Sequence, residues 1–193
     1  VEVEIKLKIE DPEQLIEKLE GLGFIKGEQL LESDTYFTSE NHDFVKLGEA
    51  LRVRQIRNVD TDETSAVITY KGKKLDDRSM AREELELEIP DAEVGKTLLQ
   101  RIGFYSVPVL EKKRWYFRRN EMTACVDQVT GLGDYLELEI IVETEAEREG
   151  ALQRIENVLV SLGYSMKDTT RHSYLSMLAN QTRAMEVAHE HYI

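Results

Sequence analysis

Strand-like segments throughout this sequence gather an ionic face on one side. Val1-Glu2-Val3-Glu4-Ile5-Lys6-Leu7-Lys8 alternates aliphatic odd residues with charged even ones, and Leu51-Arg52-Val53-Arg54 repeats the pattern with two arginines. Arg82, Glu84, Glu86 and Glu88 share one face, Lys112, Arg114, Tyr116 and Arg118 a second, and Glu137 and Glu139 a third. Side chains of an extended chain change faces with period two, so these groupings hold whatever the strand ends. A half-buried strand ordinarily sets apolar residues against a mixed polar face. A face that is ionic in strand after strand leaves few folds open.

The alternating segments are tied to helices in three similar units. Residues 1–24, 84–104 and 135–164 each run as a strand, a polar start, a helical segment and a glycine stop. Asp11, Asp91 and Thr144 suit N-caps, and Gly23, Gly103 and Gly163 suit the left-handed position after a helix end. Leu15, Ile16, Leu19 and Leu22 fall on one helical face, as do Leu152, Ile155, Leu159 and Leu162. Further strands are expected over 32–38, 50–57, 65–72, 109–118 and 122–129, with a polar hairpin loop at 58–64 and a charged loop at 73–80. About eight strands with short turns suit an antiparallel barrel or strongly curved sheet with helices packed outside. The 193 residues make one domain with trimmings, ending in a helix after about residue 176.

Two arrangements satisfy this pattern. The charged faces can look out to solvent around an apolar centre, or they can converge inside while the apolar faces sit under the helices. Each helix has an apolar stripe that needs an apolar surface, and the outside of the sheet supplies one, which favours the second arrangement. An inward set would hold Glu2, Glu4, Glu84, Glu86, Glu137, Glu139 and Asp127 together with Lys6, Lys8, Arg52, Arg54, Lys71, Arg82, Lys112 and Arg114. Glu88 belongs at the rim, and Lys8 at the mouth or outside. Buried charges need partners. Clustered carboxylates call for an oxygen-ligated cation such as Mg²⁺ or Mn²⁺, and clustered guanidinium groups suit phosphate oxygens. A metal-chelated polyphosphate meets both demands.

The net charge of −13 argues against a nucleic-acid partner held on a broad basic face. No apolar run is long enough for a membrane span, and no basic-then-apolar leader opens the sequence. The lone cysteine, Cys125, reads as a small buried residue of a reducing compartment, so a cytoplasmic protein is expected. His42, His172, His189 and His191 share no zinc-ligand spacing. Tyr36, Phe37 and Trp115 read as core.

Several segments, in this order, resemble the CYTH superfamily, also called triphosphate tunnel metalloenzymes. Glu2-x-Glu4-x-Lys6 is similar to its N-terminal Glu-x-Glu-x-Lys signature. Asp34-Thr35-Tyr36-Phe37, Leu51-Arg52-Val53-Arg54, Thr69-Tyr70-Lys71-Gly72, Arg82-Glu83-Glu84-Leu85-Glu86 and Lys112-x-Arg114 resemble the strands that follow. Asp127 with Gly131 to Glu139 resembles the closing segment, and Ser173-Tyr174-Leu175 the C-terminal element. The likeness covers residues 1–178, leaving 179–193 as a helical tail. His172 stands where many members have lysine, with Arg171 beside it.

The resemblance implies a mainly β, α+β fold: an eight-stranded antiparallel closed barrel, a tunnel with a charged interior and helices outside. It also implies an enzyme acting with Mg²⁺ or Mn²⁺ on a small-molecule triphosphate. The class IV adenylyl cyclase-like branch, converting ATP to cyclic AMP and pyrophosphate, is the nearest. A triphosphatase of inorganic, thiamine or nucleoside triphosphate is the alternative, and a non-catalytic polyphosphate-binding module a third. Glu2, Glu4 and Glu139 become metal ligands, joined by Glu137 and Asp127, with Glu84 and Glu86 behind them. Lys6, Arg52, Arg54, Lys71, Arg82, Lys112 and Arg114 hold the phosphate chain, and Glu2, Glu4, Lys6 and Arg114 are the catalytic candidates. A homodimer fits the size and the family.

Overall fold

A computed structural model describes residues 1–75, 77–107 and 109–190, with side chains through residue 182. His191, the side chain of His189 and residue 76 of the expected 73–80 loop lie outside the described residues. The chain runs β1 (Glu2–Lys8), α1 (Pro12–Gly21), β2 (Ile25–Thr38), α2 (Phe44–Leu47), β3 (Ala50–Asn58), β4 (Thr64–Lys74), β5 (Arg82–Ile89), α3 (Ala92–Arg101), β6 (Tyr105–Ser106), β7 (Leu110–Arg119), β8 (Met122–Val129), β9 (Gly133–Ile141), α4 (Arg148–Ser161) and α5 (Tyr174–Glu190). The three repeated units are present. Asp11 accepts from Gln14 N and Asp91 from Glu93 N and Val94 N. Thr144 begins a 3₁₀ turn, Glu145–Glu147, which leads into α4.

The strands form a curled antiparallel sheet in the order β3-β4-β5-β1-β9-β8-β7-β2-β6, and β2 also pairs with β3. Among the described residues nine strands are present where about eight were expected. The addition, β6, is a two-residue edge piece on the end of β2. β2 begins at Ile25, seven residues before the expected start, and its register shifts between Lys26 and Gln29. β4 continues to Lys74, into the segment expected to be loop. Apart from the β6 edge piece, pairing is long at every junction except β1–β5, where Glu2 opposite Arg82 is the one register pair among the described residues. Beyond it the free edge of β1 is met by other chain: Met80 N donates to Glu4 O at 2.8 Å, and Thr170 N to Lys6 O at 2.7 Å. The segments around Met80 and Thr170 thus lie along the part of β1 that β5 leaves unpaired.

The apolar faces of β1, β8 and β9, and much of those of β3 and β4, lie outward under the helices, whereas Leu85 and Leu87 of β5 are exposed. Val3, Ile5, Leu7, Leu136, Leu138, Ile140, Ala124 and Val126 pack against Leu15, Leu19, Leu152, Ile155 and Leu159 of α1 and α4. A second cluster sets Phe37, Val53 and Ala66 against Ala92 and Leu99 of α3. α3 lies so close that a Cβ on Gly95 would meet Ile89 Cδ1 at 2.4 Å. Leu110, Val129, Leu132, Tyr135 and Tyr174 form a third cluster, which closes one end of the curled sheet with the start of α5. Phe37 is core as expected, Trp115 packs partly against the main cluster and Tyr36 against the end cluster. Among the described residues no helix is long and apolar enough to cross a membrane.

Candidate active site

With the apolar faces committed to the helices, period two sends the charged faces inward. Glu4, Lys6, Arg52, Arg54, Arg82, Lys112, Arg114, Asp127 and Glu137 are all buried, Asp127 completely. Glu2, Glu139, Lys71 and Glu84 are half-buried on the same face, whereas Lys8, Glu86 and Glu88 are exposed. Glu86, at the exposed edge, accepts from Thr69 Oγ1 at 3.1 Å and meets the buried group through that hydroxyl.

Most of the interior cations already have anions. Arg114 donates from Nε to Asp127 Oδ1 at 2.6 Å and from a terminal nitrogen to Asp127 Oδ2 at 2.5 Å, and also reaches Glu137. Lys6 Nζ lies 3.0 Å from Glu137 and 3.5 Å from Glu4. Arg54 donates to both oxygens of Asp34, at 2.7 and 2.8 Å, and lies 2.8 Å from Glu32, which also meets Lys112 at 3.2 Å. Arg52 bonds Thr69 Oγ1 at 3.2 Å and lies 3.5 Å from Asp34. Lys71 pairs with Glu84. Arg82 has no carboxylate partner among the described residues and donates at 3.4 Å to the carbonyl of Met80.

Glu32 and Asp34 were not in the expected interior set, yet they are among its most buried members. Tyr174 is a third addition. It donates to Asp127 Oδ2 at 2.9 Å, and its ring lies 4.1 Å beneath the Lys6 ammonium. Lys74 is a fourth: it donates to the Arg171 carbonyl, and burial followed by the charges of Arg82 and Arg171 lowers it to about 8. The basic side chains considered for the C-terminal element do not join the interior. His172 is exposed, and Arg171 donates to Ser79 O at 3.2 Å and meets Asp77 at 3.4 Å.

The five carboxylates expected at a metal divide into two groups. Burial would raise Glu137, but Arg114 and Lys6 outweigh it and hold it well below its ordinary value. Asp127 is filled by Arg114 and Tyr174. By contrast, burial and the charge of Glu137 push Glu4 up to about 7, and burial and Glu2 push Glu139 to about 8. Glu2 is also raised by burial, against the pull of Lys71. Glu4 and Glu139 face each other across the β1–β9 register. Glu4 Oε1 is buried and makes no hydrogen bond, and the ammonium 3.5 Å from it, Lys6 Nζ, is held more closely by Glu137 at 3.0 Å. A buried acceptor of this kind is costly unless something supplies positive charge. These three carboxylates therefore fit a divalent cation in donor type, burial and charge. Among the described residues, no three acidic, His or Cys side chains already converge in ligating geometry.

Glu32 shows the opposite balance and makes the network testable in acid. Burial would raise it, but Arg54 and Lys112 bring it from 4.5 to about 2. A depressed folded value adds stability that is present above pH 4.5 and lost as pH falls through 2. Glu32→Gln is therefore expected to cost about 3 kcal/mol at pH 7, a difference that shrinks toward pH 2. Urea unfolding at pH 7 and pH 3 measures both, and a pH-independent difference would remove the ionic account.

A CYTH domain model matches residues 1–174. The chain is 35% identical over 177 residues to "Putative adenylate cyclase MJ0240" of Methanocaldococcus jannaschii, covering 92% of this chain and 98% of that one. The solved PH1819 protein of Pyrococcus horikoshii superimposes with a TM-score of 0.86 at 33% identity, over 94% of this chain and 99% of the other. A Hippeastrum protein, HpAC1, described as a putative adenylyl cyclase with a dominant triphosphatase activity, shares the fold with a TM-score of 0.65. It is 20% identical over 94% of this chain and 96% of its own. The inward signature Glu2-x-Glu4-x-Lys6, the buried basic strands and the match across nine-tenths of the sequence converge: the chain belongs to the CYTH domain family.

Proposed function

We propose that the chain is a divalent-metal-dependent enzyme acting on the triphosphate group of a small molecule, with the class IV adenylyl cyclase reaction as the first reading. The observation that carries this is the division of the interior. Glu2, Glu4 and Glu139 stand without enough positive charge, beside buried Lys6, Arg82, Arg114, Lys112, Arg52 and Arg54. A carboxylate trio suits Mg²⁺ or Mn²⁺, and the basic groups suit phosphate oxygens. The ring of strand pairings is read as a closed barrel with the thin β1–β5 junction as its seam.

Glu2, Glu4 and Glu139 would hold the cation, which when bound supplies Lewis-acid charge at the phosphoryl oxygens. The chain's own side chains do the remaining work. Lys6, Lys71, Arg82 and Arg114 neutralise the triphosphate, while Arg52, Arg54 and Lys112 can exchange Asp34 and Glu32 for phosphate oxygens. The Tyr174 cluster shuts one end, so the phosphate chain enters from the other. In the cyclase reaction the ribose 3′-hydroxyl gives its proton to solvent as its oxygen bonds to the α-phosphorus and the bridge to the β-phosphate breaks, and pyrophosphate leaves with its charge held by the basic wall. A triphosphatase would use the same wall while water attacks the terminal phosphorus. The activity described for HpAC1 favours keeping this second reading.

Product analysis with Mg²⁺ or Mn²⁺ and ATP, inorganic tripolyphosphate or thiamine triphosphate separates the readings. Cyclic AMP with pyrophosphate is the expected result, and orthophosphate alone establishes the triphosphatase. No product from any substrate, despite tight binding, would leave a polyphosphate-binding module.

A further inference from the structure

The outside of the sheet is covered unevenly. α1 and α4 pack on β1, β8 and β9, and α3 packs on β2, β3 and β4. β5 lies between the two groups. Its outward residues Leu85 and Leu87 pair in register with Tyr70 and Ile68 of β4, so they continue the surface on which α3 sits, yet they are left exposed. The helix adds to them. A Cβ on Gly95 would meet Ile89 of β5, so that side of α3 faces β5. Leu98 and Ile102, three and seven residues on, come round to the same side, and Val94 precedes Leu98 by one turn. Leu85 and Leu87 thus floor a groove whose wall is Val94, Leu98 and Ile102.

These five side chains are each 57–65% exposed. α3 is already held to the sheet by Ala92, Gly95 and Leu99, so its own packing does not use them. They present on the order of 500 Å² of apolar surface, near the largest patch a monomer ordinarily leaves open. Exposure alone names no partner, but the charges at the ends of α3 do. Asp91 caps the N-terminus and Arg101 stands in the last turn; both are exposed, on the same side of the helix as Val94 and Leu98. When a second α3 is laid antiparallel so that Val94 rests on the copy's Leu98, opposed positions lie symmetrically about residue 96. The same register sets Asp91 against the copy's Arg101 at both ends. It also brings the positive end of each helix dipole to the negative end of the other.

We propose that α3 and the outer face of β5 form the contact between two copies of this chain, with the two α3 helices antiparallel about a two-fold axis at residue 96. An isologous contact requires a face complementary to itself, and one register here satisfies both the apolar stripe and the paired charges. With its polar rim the face reaches the roughly 800 Å² per partner of a stable complex. The contact lies outside the sheet and is independent of the chemistry within it.

Sedimentation of the full chain over a concentration series tests this. The wild type is expected to be a dimer at about 10 μM. Leu98→Asp and Leu87→Asp place a charge in the wall and the floor of the groove, at positions exposed in the single chain, and are each expected to weaken dimerisation roughly tenfold or more. Arg101→Asp opposes two aspartates at both ends and should weaken it roughly tenfold. Adding Asp91→Asn, which keeps the helix cap, should recover most of that loss. A wild type that stays monomeric at about 100 μM overturns the proposal. So does a dimer that neither Leu98→Asp nor Leu87→Asp weakens, because its contact is then on another face. A dimer weakened by both, in which Asp91→Asn recovers nothing of the Arg101→Asp loss, overturns the antiparallel pairing of α3.

Discussion

Glu4→Gln is expected to abolish metal-dependent turnover and, in the same protein, to raise stability when metal is absent. Loss of a charged ligand from the Glu2, Glu4 and Glu139 group should lower kcat by roughly 10²-fold or more. The stability effect has the opposite sign because Glu4 is raised from 4.5 to about 7, chiefly by burial and then by Glu137. A group whose folded value is raised contributes stability fully present below pH 4.5, and that contribution disappears as pH rises through 7. At pH 8 to 9 the metal-free wild type should have lost about 3 kcal/mol from this site, which the uncharged glutamine does not lose. Thermal unfolding should then place the variant roughly 6–12 °C above the wild type at pH 8.5 without metal, and level with it near pH 4. Mn²⁺ should stabilise the wild type and leave the variant in place. A variant with full activity, or one less stable than the wild type at pH 8.5, would take Glu4 out of the ligand group.

The inward turn of the charged faces was legible because period two and three amphipathic helices leave the apolar side one place to go. Glu2, Glu4, Lys6, Arg52, Arg54, Lys112, Arg114, Asp127, Glu137 and Glu139 all meet inside as their alternation implies. Glu32 and Asp34 alternate in the same register, on a strand whose later half was expected. Ser33 between them and Thr35 after them are polar, so no aliphatic alternation marks the pattern there. The first half of β2 was hidden by its register shift, which breaks period two between Lys26 and Gln29. β6 is too short for any periodicity. Tyr174 and Lys74 join the interior through long-range closure, by a segment that lies along β1 and by a strand that outruns its expected end. Which carboxylates remain unneutralised depends on strand order. β9 lies beside β1 and sets Glu139 opposite Glu4, while Arg114 is taken up by Asp127 and Glu137. Local sequence carries no record of that order.

Asp34→Asn should be the most destabilising single change in the interior, and it should also loosen the basic wall for substrate. Asp34 is 1% exposed and accepts two hydrogen bonds from Arg54, with Arg52 at 3.5 Å. Removing its charge leaves Arg54 to share Glu32 with Lys112, and leaves Arg52 its bond to the Thr69 hydroxyl. Breaking one partner of a buried pair costs about 3–5 kcal/mol, because the remaining charge stays desolvated. That corresponds to a fall of roughly 6–20 °C in Tm for a chain this long. Phosphate oxygens could take the vacated positions on Arg54, so tripolyphosphate should raise the Tm of Asp34→Asn more than that of the wild type. Both halves are read in one thermal-shift titration. A large loss of stability without a larger response to tripolyphosphate would make Arg52 and Arg54 structural partners of Asp34 alone. In that case phosphate binding would fall to Lys6, Arg82 and Arg114, on the wall nearest Glu4.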